Sequence, residues 1–197
     1  MPEKGLPLRI TLLGIASQYV HSSLAPWCLQ AGLKAYAALP HEALVVEGTV
    51  NEPPEGLKNR VISTAPDLLG ISCTIWNIRT ISGLLPPLRA ALPDCVIVLG
   101  GPEVSFCAEE TLCALPEADY VISGEGELPF ARLADALGGI GRLKEVPGLY
   151  FREDGRIRAN PPMDQSGEWP SPVGPGYLQA LNGRIAYIET SRGCPFS

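Results

Sequence analysis

Few side chains in this sequence could hold a metal or act as a nucleophile. The chain has six cysteines, Cys28, Cys73, Cys95, Cys107, Cys113 and Cys194, and two histidines, His21 and His41. No two cysteines form a C-x-x-C pair and no histidine cluster accompanies them, which argues against a zinc site. Cys28, Cys73, Cys95, Cys107 and Cys113 lie in apolar or helical stretches, as expected of buried, reduced thiols in a cytoplasmic protein. Cys194 differs. It follows a strand-like run and sits in Thr190-Ser191-Arg192-Gly193-Cys194-Pro195. The remaining candidates are small, hydroxyl or acidic groups in short loops: residues 16–23 (ASQYVHSS), Ser72-Cys73-Thr74, Gly100-Gly101-Pro102-Glu103 and Gly124-Glu125-Gly126-Glu127.

These loops need a scaffold. Five apolar runs precede or separate them, at 9–15, 43–48, 67–72, 95–100 and 119–123. Near-continuous Leu, Ile and Val without alternation implies strands buried on both faces, as in a parallel sheet. Helical stretches fall at 23–38, 77–92, 105–115 and 127–137; in the last, Phe130, Leu133, Ala134 and Leu137 share one face. The alternation predicts an α/β, flavodoxin-like (Rossmann-like) doubly wound domain with a five-stranded parallel sheet, order 2-1-3-4-5. After residue 140 the texture changes. Asp154-Gly155 between two short strand-like runs signals a hairpin, a Pro-, Gly- and Ser-rich stretch reads as a linker, and residues 184–191 read as a new strand. The expected organisation is a ligand-binding domain at 1–140, a hairpin and linker at 141–183 and the start of another domain at 184–197.

Composition narrows the function. The chain has 197 residues, 46% of them hydrophobic and 18% charged, so a packed core is expected. A net charge of −6 without a Lys/Arg run argues against nucleic-acid binding through phosphates. No apolar run reaches the roughly 18 residues of a membrane span, and the start MPEKGLPLRITLLGI reads as a first strand, not a signal peptide.

In an open parallel sheet, ligands bind outside the carboxyl ends of the strands, where the four candidate loops lie. A phosphoacceptor receiver needs an Asp at the end of the third strand, which here holds Ile71-Ser72. A flavin phosphate loop needs glycine after the first strand, and residues 16–23 have none. The near match to a dinucleotide loop, GEGELP, sets Pro129 at the third glycine and two acids where a pyrophosphate would lie. Gly100-Gly101 permits close backbone approach to a bulky ligand, or a tight turn into a helix opened by Pro102. Ser72 and Thr74 are helix caps or donors to a ligand. Trp76 is a wall for a ligand or a core aromatic.

The combination resembles the cobalamin-binding domain family. The loop after strand one, Ser72-Cys73-Thr74 after strand three and Gly100-Gly101 after strand four match its pattern. GGPEVS followed by YVISGEGE resembles a narrower group, cobalamin-dependent radical SAM proteins, over roughly residues 8–140. The resemblance implies cobalamin contacts from Ser17, Gln18, His21, Ser22, Ser72, Cys73, Thr74, Gly100, Gly101, Pro102, Glu103, Gly124, Glu125, Gly126 and Glu127. His21 stands where methionine-synthase-type domains carry the histidine of D-x-H-x-x-G as lower cobalt ligand. Here Tyr19 replaces the Asp and Leu24 the Gly, so His21 is either a weaker cobalt ligand or a loop residue near the cofactor. Glu125 and Glu127 either favour a helix N-terminus or hydrogen-bond cobalamin amides or ribose.

The lead-in to Cys194 resembles the start of the radical SAM motif C-x-x-x-C-x-x-C, whose three thiolates hold a [4Fe–4S] cluster and leave one iron for S-adenosylmethionine. The next two cysteines would fall beyond Ser197, so Cys194 is expected to be the first, isolated ligand of an interrupted motif. A lone thiolate would not hold the cluster. The resemblance implies a chain that binds cobalamin without catalysis, partnered by the radical SAM barrel of its parent enzyme. That parent is expected to be a methyltransferase, with tetrapyrrole ring closure as a second reaction. The other class of function open to these residues is a non-catalytic nucleotide-binding or interaction module.

Overall fold

The computed structural model of the chain describes residues 6–163 and 169–192. The chain alternates strand and helix from the start: β1 (Leu8–Ala16), α1 (Leu24–Tyr36), β2 (His41–Thr49), α2 (Pro54–Ser63), β3 (Leu68–Ser72), α3 (Ile78–Ala91), β4 (Val96–Gly100), α4 (Pro102–Ser105), α5 (Ala108–Ala114), β5 (Tyr120–Ile122) and α6 (Glu127–Leu137). The hairpin strands β6 (Leu149–Glu153) and β7 (Arg156–Ala159) follow, then α7 (Pro175–Leu181).

The sheet has seven strands in the order β2-β1-β3-β4-β5-β6-β7. The first five are parallel, in the 2-1-3-4-5 order the sequence implies. The expected count of five is short by two, because β6 adds antiparallel to β5 and β7 antiparallel to β6. The turn between them has positive φ at Asp154 (51°) and Gly155 (73°), the conformation a two-residue hairpin requires.

Both sheet faces are covered, which is why the strands read as unbroken apolar runs. On one face, Leu12, Val98 and Ile122 meet Leu33 of α1 and Phe130 and Leu133 of α6. On the other, Leu13, Ile71 and Leu99 meet Leu57 of α2, Leu85 and Leu88 of α3 and Leu112 of α5. Helices α1 and α6 approach closely at Gly32, where a Cβ would lie 2.7 Å from the Glu127 Cβ.

Two stretches depart from the sequence reading. Residues 184–191 form no strand; the one pairing is an isolated bridge between His21 and Ile185. Side chains satisfy this backbone instead. Ser22 Oγ donates to the Ile185 carbonyl at 2.9 Å, and the Tyr177 hydroxyl accepts from Tyr187 N–H and donates to Tyr187 O, both at 2.8 Å. The reading of 141–183 as hairpin and linker omits α7, which buries Tyr177 to 1% exposure. Among the described residues, no helix is long and apolar enough to cross a membrane.

Candidate functional site

A cleft of about 800 Å³ opens at the carboxyl ends of β3, β4 and β5, between the sheet and α1. Its floor is apolar, from Val98, Ile122 and Phe130, with Leu29 on the α1 side. Its mouth is lined by Ser72 and Trp76 after β3, Gly100, Gly101 and Pro102 after β4, and the run from Gly124 to Glu127 after β5.

The two glycines after β4 serve different ends. Gly101 has φ +104°, and a Cβ there would lie 2.5 Å from the Cys73 carbonyl oxygen. The turn therefore requires glycine on backbone grounds alone. Gly100 is in ordinary conformation, and the nearest atom to a Cβ would be the Ile122 carbonyl oxygen at 3.5 Å. The protein itself leaves room for a side chain at Gly100, and that room borders the cleft.

The loop after β3 is held by Asn77, which is 1% exposed. Its amide donates to the carbonyls of Ile15 (3.1 Å) and Ser72 (2.9 Å), and its oxygen accepts from Thr74 N–H at 2.8 Å. Trp76 Nε1 donates to the same Ile15 carbonyl at 3.2 Å. Anchored by that one bond, Trp76 remains 52% exposed, so it is a wall of the cleft and not a core residue. Phe106, at 96% exposure, also borders the cleft.

After β5, Glu125 and Glu127 face Arg192. The guanidinium donates to Glu125 at 2.8 Å, to Glu127 at 2.6 Å and to Glu189 at 2.7 Å, and it lies 4.7 Å from the Trp169 ring centroid. Burial works against the arginine charge, but hydrogen bonds to Glu127 and Glu189 overcome it and hold the group above its ordinary value. Burial pushes the Glu125 carboxyl above the ordinary carboxylate range, and Arg192 draws it back only in part.

Of the residues the sequence singles out, the cleft brings together Ser72, Gly100, Gly101, Pro102, Gly124, Glu125, Gly126 and Glu127. Ser17, Gln18, His21, Ser22, Cys73, Thr74 and Glu103 lie outside its lining. Ser17 and Gln18 belong to a turn in which their carbonyls accept from Asn51 and from His21 N–H. His21 Nδ1 is hydrogen-bonded to the Tyr187 hydroxyl at 2.5 Å, and Ser22 is buried under Tyr177. Cys73 is buried, and the Thr74 hydroxyl, itself shielded from solvent, has no hydrogen-bond partner among the described residues. Glu103 N–H reaches the Cys73 carbonyl. Cys194 lies outside the described residues.

Burial pushes the thiols of Cys28, Cys73 and Cys95 up to about 12, which suits structural rather than reactive groups. The expectation of burial fails for Cys107, which is half-buried, and for Cys113, which is exposed on α5. Among the described residues, no group of three or more His, Cys, Asp or Glu could hold a metal ion.

A seven-stranded α/β sheet with an apolar cleft and a glycine ledge defines a class of small-molecule-binding domain. Comparison with known proteins names it: the B12 binding domain family matches residues 10–134, and the chain belongs to that family. It is 30% identical over 168 residues to an uncharacterized methyltransferase of Pyrococcus horikoshii, covering 80% of this chain and 36% of that protein. It is 28% identical over 144 residues to the cobalamin-dependent radical SAM methyltransferase TokK of Streptomyces tokunonensis, covering 67% of this chain and 21% of TokK. The structure of the cobalamin-dependent S-adenosylmethionine radical enzyme OxsB with aqua-cobalamin and S-adenosylmethionine superposes with a TM-score of 0.68 at 18% identity, covering 80% of this chain and 22% of OxsB. The chain thus spans about a third or less of the length of these relatives.

Proposed function

We propose that this chain binds cobalamin in the cleft and is the cofactor-holding part of a radical SAM enzyme whose reaction is methyl transfer. One observation carries the reading furthest. Gly100 is a glycine that neither backbone conformation nor packing demands, and it borders the cleft in a chain of the B12 binding domain family. The lining suits the ligand: an apolar floor with few polar groups takes a large, amide-rich molecule. Carboxylates such as Glu125 can accept from amides, where they would repel a phosphate.

When bound, cobalamin would supply a cobalt centre able to carry a methyl group. The chain's own residues hold and shield it. Gly100 and Gly101 let backbone approach the ligand closely, Trp76 walls one side, and Val98, Ile122 and Phe130 keep water from the floor. His21 does not border the cleft and has one ring nitrogen engaged by Tyr187, so we assign it no bond to cobalt. The [4Fe–4S] cluster and S-adenosylmethionine belong, on this reading, to the barrel of the parent, with Cys194 as first cluster ligand.

Hydroxocobalamin loading followed by desalting tests the proposal. Retained red cofactor near one equivalent is expected, with cobalt absorption bands unmoved by His21→Ala. An absence of retained absorbance from both this chain and the full-length parent would sink the cobalamin reading. Shifted bands in the His21→Ala variant would overturn the assignment of His21. Analysis of the full-length parent's products for methylation, against cyclisation, tests the reaction.

A further inference from the structure

The C-terminal segment 184–192 runs from the loop after β1 to the loop after β5 and is fastened at both ends. At its start, Arg184 pairs with Glu47 of β2 at 2.7 Å, both side chains less than 15% exposed. At its end, Arg192 is clasped by Glu125 and Glu127, which are residues of the cleft, and by Glu189 of the segment itself. Between the anchors, Ile188 stays 68% exposed. The Arg192 side chain is 15% exposed and that of Glu127 only 4%. Glu127 is fixed in turn by the α1–α6 contact at Gly32. An arginine shared among three carboxylates is far from the loose surface pair that contributes little. Its planar guanidinium presents five donors in a rigid fork, where a lysine presents three on a flexible stem. Arg192, Glu189, Glu125 and Glu127 all line the cleft, so a molecule filling it meets the clasp directly.

We propose that Arg192 is a positioning residue whose clasp by Glu125 and Glu127 makes filling of the cleft and seating of the segment leading to Cys194 one coupled equilibrium. The identity of the ligand rests on the cobalamin reading; the clasp does not. Coupling of this kind is reciprocal: whatever factor the ligand adds to closure of the clasp, the clasp adds to affinity for the ligand. The arrangement would also time the cluster end of the chain, since the segment entering Gly193-Cys194 is held in place when the cofactor is held.

Trypsin reads the clasp, because cleavage after Arg192 requires the guanidinium to leave its carboxylates, and cleavage tracks the open population when opening is fast. In the full chain, Glu125→Gln and Glu127→Gln are each expected to speed cleavage at Arg192 about tenfold, a typical coupling. Hydroxocobalamin is expected to slow cleavage of the unaltered chain, and Arg192→Gln to weaken hydroxocobalamin binding by the same factor. Arg192→Lys should restore part of the lost affinity. Circular dichroism and thermal midpoints check folding, and Glu125→Gln is the safer variant because Glu125 is 30% exposed. Equal cleavage rates in the unaltered chain and both Gln variants would overturn the clasp. Retained hydroxocobalamin with unchanged cleavage and an unchanged affinity in Arg192→Gln would overturn the coupling while the cobalamin reading stands. Failure of both this chain and the full-length parent to retain hydroxocobalamin overturns that reading and the coupling with it, whichever way the cleavage rates fall.

Discussion

Adjacent glycines can look alike in sequence and obey different constraints. At Gly101, a φ of +104° and a Cys73 carbonyl 2.5 Å from the would-be Cβ forbid any side chain. Gly101→Ala is expected to cost about 1–3 kcal/mol for the backbone conformation alone, and more for the contact. At Gly100 neither obstacle exists, since the nearest atom would be 3.5 Å away. Gly100→Ala should therefore leave the unfolding free energy within about 0.5 kcal/mol of the unaltered chain, as a substitution without a destabilising mechanism does, yet weaken hydroxocobalamin retention. Denaturant unfolding and cofactor titration on the two variants separate a fold glycine from a ligand glycine. If Gly100→Ala lowers stability as much as Gly101→Ala, the ledge is a structural turn and the carrying observation falls. Reading the sequence left turn and ligand roles equally open at this pair, because only coordinates show which neighbour a Cβ would meet.

Elements were legible where burial imposed a pattern. Helix α6 follows from apolar periodicity and the five parallel strands from unbroken apolar runs, and the loops between these elements hold eight of the cleft residues. Helix α2 went unread because only Leu57 and Val61 are buried along it, too few for a clear stripe. Its signal was Pro54 at the first turn with Glu55 beside it. The extended run 184–191 resembled a strand by composition, but strand identity depends on a partner, and here Ser22 and Tyr177 take its backbone groups. Arg192 stands out in the sequence only as part of a motif, because Glu125 and Glu127 reach it from a sequence-distant loop that leaves no local trace. Asn77 was hidden likewise. Its amide joins β1 to β3 and its oxygen holds Thr74 N–H. Asn77→Ala would leave buried backbone groups unpaired, at about 1–3 kcal/mol each. A loss of roughly 3 kcal/mol in urea unfolding is expected, and a loss under about 1 kcal/mol would show that water replaces the side chain.

The whole molecule is larger than its parallel sheet. The family match ends at residue 134, and the sequence changes texture near 140, yet the sheet continues through β6 and β7. Leu149 and Phe151 of β6, with Val146 before them, join the core that holds Ile122 and Phe130, the floor of the cleft. β5 has only three residues and pairs with β6 along its whole length, so without the hairpin it becomes a bare sheet edge. Arg152 of β6 also donates to the carbonyls of Leu112, Leu115 and Ala118, closing the turn that leads into β5. Ending the chain at residue 140 removes these supports together. At about 2 kcal/mol for each of three buried apolar side chains, the loss approaches 6 kcal/mol, against a total stability of about 5–15 kcal/mol for an ordinary domain. A chain of residues 6–140 should therefore unfold at far lower urea than one of residues 6–163, and bind a hydrophobic dye through the opened floor. Equal midpoints for the two chains would show that the hairpin decorates the domain; the buried contacts of Leu149 and Phe151 require the shorter chain to be the weaker one.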